Sequence, residues 1–227
     1  MNQKEKEDAV KELYINNPFP PEKVSLESLE SHAWVLKSIP KSYKFEKNID
    51  IADIGCGTGG ISCFLSRLGK VDGYDFSKPS IEIARALAKE LKIDINFIEE
   101  DITETKQRKK YDIIFSIGVL HHIPQHWQAI ENIKRMMKPT SIFIVGVYNK
   151  WANINGLWKS SVKEERYLDA FNHPYEIFYS KHEYKKILEN HNLKVIGIYN
   201  NAPDFLRLLT GRGRIVSYCC QLNQPTN

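Results

Sequence analysis

Residues 49–60 read Ile49-Asp50-Ile51-Ala52-Asp53-Ile54-Gly55-Cys56-Gly57-Thr58-Gly59-Gly60, a short apolar run that passes directly into a glycine-rich turn. A run of this length bounded by glycines predicts a buried strand, and the turn predicts a backbone that must approach a ligand closely before a helix begins. The following Ile61, Phe64, Leu65 and Leu68 fall at helical spacing and Gly69 ends that stripe.

Further apolar runs follow at Lys70–Tyr74, Ile95–Glu99, Tyr111–Ser116 and Ser141–Tyr148. A helix capped by Ser77 and carrying Ile83, Ala84, Leu87 and Leu91 separates the second run from the third. Another stripe, Trp127, Ile130, Ile133 and Met137, precedes the fifth run. Strands alternating with amphipathic helices predict βαβ units, and hence an α/β, Rossmann-like, doubly wound and mainly parallel sheet. The link Thr103–Lys110 is short and polar, so a poorly formed crossover is expected there. Two helices are expected ahead of this core. One covers Glu5–Ile15 and ends at the prolines Pro18, Pro20 and Pro21; the other covers Ser25–Ser38, with Leu26, Leu29, Ala33 and Leu36 on one face. Residues 1–47 thus read as an N-terminal helical cap and residues 48–227 as the main domain.

After Tyr148 the alternation lapses into an aromatic-rich stretch, and residues 149–179 read as an insertion forming a lid or acceptor wall. Regular structure resumes at Ser180-Lys181-His182-Glu183, a capping box, then a strand-like Leu193–Tyr199. Asp204–Leu209 suggests a helix turn, and Arg214–Cys219 a last, antiparallel strand that would bring the sheet to seven.

Composition excludes several classes. The 227 residues are 42% hydrophobic and 26% charged, which fits one globular domain with appendages. No run of about 18 apolar residues could span a membrane, and the charged opening MNQKEKEDAVKELYINNPFP lacks the apolar core of a secretory signal, so a cytoplasmic location is expected. Cys56, Cys63, Cys219 and Cys220 have neither a disulfide framework nor metal-knuckle spacing, so no metal is expected. Nothing fixes an oligomeric state.

Gly55, Gly57 and Gly60 satisfy a dinucleotide fingerprint, and Asp75 stands 20 positions after Gly55, where a ribose-binding acid belongs. Nicotinamide and adenosyl enzymes share these features. Asp53 favours the second, because a carboxylate beside the loop repels a pyrophosphate and attracts the cationic amino acid part of S-adenosyl-L-methionine. Asp75 can then accept both ribose hydroxyls, and Asp101 an adenine amine with Ile102 against the ring. All three acids stand at carboxyl ends of successive strands, where open α/β sheets bind ligands.

With these residues in view the chain resembles the class I S-adenosylmethionine-dependent methyltransferases, firmly over about residues 48–150. The family's Asp-x-Gly-x-Gly-x-Gly stretch appears as Asp53–Gly59, and its fourth-strand segment as Tyr111 to Pro124, typical of the small-molecule, ubiquinone- and menaquinone-like branch. One departure is Lys138-Pro139-Thr140-Ser141, where the family commonly has Lys-Pro-Gly-Gly. The resemblance implies backbone contact with the amino acid part from Gly55, Gly57 and Gly59, cofactor contacts from Cys56, Thr58 and Phe76, and a floor near the sulfonium from Ile117 and Gly118. It also implies in-line methyl transfer to a small-molecule acceptor, for which proximity and alignment supply most of the catalysis.

His121 and His122 are the candidate catalytic residues, since an imidazole can take a proton from an acceptor hydroxyl or amine; the same pair could equally only pack at the head of a helix. Tyr148, Asn149, His173 and Tyr179 are candidates for the acceptor pocket or for ordinary core. Two further readings stay open. One is RNA methylation, tRNA included, supported by the net charge of +4 and by Lys41, Lys44, Lys47, Arg108, Lys109, Lys110, Lys185 and Lys186. The other is a catalytically silent cofactor-binding module.

Overall fold

The computed structural model describes residues 1–20, 25–150, 173–200 and 215–223. Helix α1 (Gln3–Asn16) starts at an Asn2–Glu5 capping box, two residues before the expected start. After α2 (Leu26–Leu29) the chain tightens into a 3-10 helix over Glu30–Ser38, where one continuous α-helix was expected. The buried positions here are Leu29, Val35 and Ser38, with His32 half-buried, a three-residue period that matches 3-10 geometry; Ala33, placed on the inner face by a 3.6 period, is exposed.

The expected alternation then unfolds in order: β1 (Ile49–Ile54), α3 (Gly60–Leu65), β2 (Gly69–Asp75), α4 (Lys78–Leu91), β3 (Asn96–Glu99), β4 (Tyr111–Ile117), a 3-10 turn at Leu120–His122, α5 (His126–Arg135) and β5 (Met137–Tyr148). The chain continues with α6 (Lys181–Asn190), β6 (Leu193–Asn200) and β7 (Ile215–Leu222). The Ser180–Glu183 capping box is present at the start of α6. The suggested turn at 204–209 and most of the 149–179 insertion lie outside the described residues.

The sheet has seven strands in the order β3-β2-β1-β4-β5-β7-β6. All neighbours from β3 to β5 pair in parallel, and β7 pairs antiparallel with both β5 and β6. The last strand is therefore antiparallel, as expected, but it enters between β5 and β6 and does not close an edge. Met137 opens β5, where the sequence pattern had carried the helical stripe, and Trp127 is exposed.

Alternate residues of the central strands feed opposite layers, as the pleat requires. Ile51, Ile113, Phe115, Ile142 and Ile144 pack with Phe64, Leu65 and Val35 on one face, while Ile54, Ile114, Phe143 and Val145 pack with Ile130, Ile133 and Leu188 on the other. Between β3 and β4 no helix intervenes, and the polar link is pinned by the Asn132 amide, which donates to the carbonyls of Ile102 (2.6 Å) and Thr103 (2.9 Å). Ile113 pairs in register with Ile51 on one side and Ile142 on the other and has no exposed surface. Ile113→Ala should cost about 2–5 kcal/mol and lower the urea midpoint.

Candidate functional site

Between Ile54 and Gly60 the backbone turns out of β1 with Gly55, Gly57 and Gly59 all at positive φ (+72°, +53° and +87°). The amides of Gly55 and Cys56 donate to the Tyr74 carbonyl (2.7 and 2.9 Å), which fastens the turn to the end of β2. Gly57 is required twice over, by its left-handed φ and because a methyl group there would run into the Phe19 carbonyl oxygen. Its amide donates to Asp75 Oδ2 (2.9 Å), and the Ser77 amide donates to Asp75 Oδ1 (2.8 Å). Burial raises the Asp75 carboxyl, and these two amides work against that rise. Each carboxylate oxygen keeps a lone pair for a further donor.

Asp53 is buried behind the loop and accepts from the Ser62 hydroxyl of α3 (2.6 Å). Burial lifts its carboxyl from 3.8 to about 6, with Ser62 opposing and Asp75 adding to the rise. Asp101, past β3, accepts from the amide and hydroxyl of Thr103 on Oδ1 (2.8 and 2.7 Å) and pairs with Lys11 Nζ on Oδ2 (2.7 Å). Burial pushes this carboxyl up, but Lys11 and Thr103 outweigh it and hold Asp101 below its ordinary value. Of the three acids, Asp53 and Asp75 are thus raised and Asp101 lowered.

The other expected cofactor residues divide. Gly118 sits at φ +80° after β4, and an added Cβ there would meet nothing within 4 Å, so open space lies beside it. Phe76 lies edge-on to Tyr14, ring centroids 6.5 Å apart. Thr58 is buried against the N-terminal segment, its amide and hydroxyl donating to the carbonyls of Phe19 and Pro20 (both 3.1 Å). Cys56 is buried and its thiol is pushed up, which removes it as a nucleophile. Ile102 packs into the core beneath.

His121 and His122 are buried in the 3-10 turn after β4, ring centroids 4.0 Å apart. His121 lies against Tyr148 (3.9 Å) and His122 against His173 (4.1 Å). Burial and the neighbouring His173 bring His121 down to about 3, and burial with both neighbouring imidazoles pushes His122 well down, so both are neutral. Among the described residues neither ring nitrogen of His121 has a hydrogen-bond partner. Tyr148 and His173 thus pack with the histidine pair, whereas Tyr179 packs on Tyr184 in the core. Among the described residues no group of His, Cys, Asp and Glu is arranged to hold a metal ion.

A family model described as a methyltransferase domain matches residues 45–192. The chain belongs to that family. A ubiquinone biosynthesis O-methyltransferase of Rickettsia canadensis is 32% identical over 118 residues, covering 52% of this chain and 50% of the relative. One from Rickettsia bellii is 27% identical over 178 residues, covering 75% of this chain and 74% of its own length. The chain thus spans between half and three quarters of these two relatives. The solved 1,6-didemethyltoxoflavin-N1-methyltransferase of Burkholderia thailandensis, with bound 1,6-didemethyltoxoflavin and S-adenosylhomocysteine, superposes with a TM-score of 0.69 at 14% identity, covering 99% of this chain and 92% of that one. The methyltransferase family and Rossmann-like fold read from the sequence are borne out.

Sequence reasoning missed Lys11 and Tyr14. They lie one turn apart on α1, but nothing local announces their partners, Asp101 and the His122–His173 pair.

Two outcomes test the site. Unfolded Asp53 titrates near 3.8 and folded Asp53 near 6, so the folded state binds the extra proton and its stability falls as pH rises through that window. Asp53→Asn should therefore gain on the wild type in melting temperature between pH 4 and pH 7.5. Gly57→Ala should lower the melting temperature, costing about 1–2 kcal/mol from the left-handed φ alone, and speed amide exchange around Phe19.

Proposed function

We propose that this methyltransferase transfers a methyl group from S-adenosyl-L-methionine to a hydroxyl on a small, planar acceptor. S-adenosyl-L-methionine would supply an activated methyl on a sulfonium, leaving the protein to align and desolvate the partners. The site's features fit that group: a glycine turn, Asp75 with spare acceptor capacity at the end of β2, a buried acid at Asp53 suited to a nearby cation, and open space beside Gly118. In this reading Asp75 takes the ribose hydroxyls, Asp101 the adenine amine, and the loop backbone the amino acid part. In the same reading residues 1–47 are the cap and 48–227 the methyltransferase domain, and of the 149–179 insertion the described residues 149–150 and 173–179 lie on the acceptor side.

His121 carries the acceptor half of the proposal. A buried neutral imidazole with unmatched nitrogens is costly unless a ligand supplies a partner, and a hydroxyl is a suitable one. Protonation of His121 is disfavoured in this dry setting, so it orients the hydroxyl by accepting its hydrogen bond, and the aromatic rings of Tyr148 and Phe178, stacked at 5.7 Å, give this side an apolar, aromatic character suited to a ring. The named Rickettsia relatives support an oxygen acceptor. RNA is less well supported, because part of the basic excess is consumed internally: Lys109 pairs with Asp72 (2.8 Å) and Lys185 with Glu189 (3.5 Å), and Lys110 donates to the carbonyls of Arg135 and Met137. Among the described residues no helix is long and apolar enough to cross a membrane.

Calorimetry with S-adenosyl-L-methionine tests the first half; no binding at millimolar ligand by folded protein would sink it. For the second, His121→Asn should lower kcat about tenfold to hundredfold on a phenolic acceptor while leaving cofactor affinity near wild type. The wild-type rate should show no histidine inflection between pH 5.5 and 7.5, because both imidazoles are already neutral.

A further inference from the structure

Residues 3–20 cross above the carboxyl ends of the strands and touch the segment that follows each of β1 to β4. Thr58, after β1, donates to the Phe19 and Pro20 carbonyls. The Ser77 hydroxyl, after β2, donates to the Tyr14 carbonyl (3.1 Å). Asp101, after β3, holds Lys11, and His122, after β4, meets the Tyr14 ring at 5.9 Å. On the acceptor side the Tyr14 hydroxyl lies 3.3 Å from His173 Nε2. Yet α1 buries only Val10. A helix so thinly anchored in the core is held by polar contacts at a few points and lifts at low cost.

The Lys11 contact falls on an atom that matters. Thr103 already gives two hydrogen bonds to Asp101 Oδ1, and the Lys11 ammonium takes Oδ2. An adenine amine directed to this carboxylate meets the ammonium at Oδ2, the oxygen that Thr103 leaves open.

We propose that residues 3–20 form a cofactor-gating strap, latched by Lys11 on Asp101, which must lift before the nucleoside enters and which exchanges the ion pair for the adenine amine. The inference rests on the assignment of Asp101 to adenine made above. Lys11 is accordingly a positioning residue, acting on the cofactor through Asp101. Its side chain is more than one third exposed, so the latch is a modest one and its removal should be felt as a rate and not as unfolding.

Two measurements on the full chain test this, with S-adenosylhomocysteine as the probe. Without ligand, hydrogen exchange of amides 3–20 should be about fivefold faster in Lys11→Met than in wild type, and Lys11→Arg, which keeps the charge, should stay near wild type. In stopped-flow binding, Lys11→Met should associate about fivefold faster. Unchanged exchange and unchanged association in a folded Lys11→Met protein, with wild type binding normally, would overturn the strap and leave the functional reading standing. Unchanged association with faster dissociation would likewise overturn it, since Lys11 would then belong to the closed complex. Failure of both proteins to bind the probe would remove the functional reading and the strap with it.

Discussion

The site is organised by the fastening of the glycine turn to the end of β2. Three backbone amides make it: Gly55 and Cys56 to the Tyr74 carbonyl, and Gly57 to the Asp75 carboxylate. Because β1 and β2 are adjacent parallel strands in register from Ile49–Gly69 to Ile54–Tyr74, their carboxyl ends are level, and the loop needs only three left-handed glycines to cross between them. Tethering of this kind sets Asp75 and positions the start of α3, whose Ser62 in turn holds Asp53. A turn that bent otherwise would leave Asp75 without the Gly57 amide and Asp53 without the Ser62 hydroxyl.

Electrostatics then give the two sides of the cleft opposite characters. The side proposed for the cofactor gathers acids, two of them raised by burial and one held down by a lysine. The side proposed for the acceptor gathers imidazoles and tyrosines and keeps His121 and His122 neutral. A cationic donor and a neutral hydroxyl acceptor suit these environments in that order. Residues 3–20 touch the segments that follow each of β1 to β4, the contacts on which the proposed strap rests.

The helical cap illustrates where local pattern fails. Leu26, Leu29, Ala33 and Leu36 make a plausible α stripe, yet packing against the sheet selects the three-residue spacing of Leu29, Val35 and Ser38, and the segment tightens to suit. Met137 was miscounted for a similar reason: a helix and a strand that abut without a loop share apolar residues, and periodicity cannot divide them.

The sequence by itself determined the α/β alternation, the glycine turn, the three acids and their places at strand ends, because each depends on residues close together in the chain or on the strict two-residue pleat. The helixless link before β4 was legible from its polarity in the same way. Only the tertiary structure decided that β7 enters between β5 and β6, that His121 lies against Tyr148 and His122 against His173, and that Lys11 is bound to Asp101. Those are pairings between residues far apart in sequence, chosen by burial and charge after the chain has folded, and no local period encodes them.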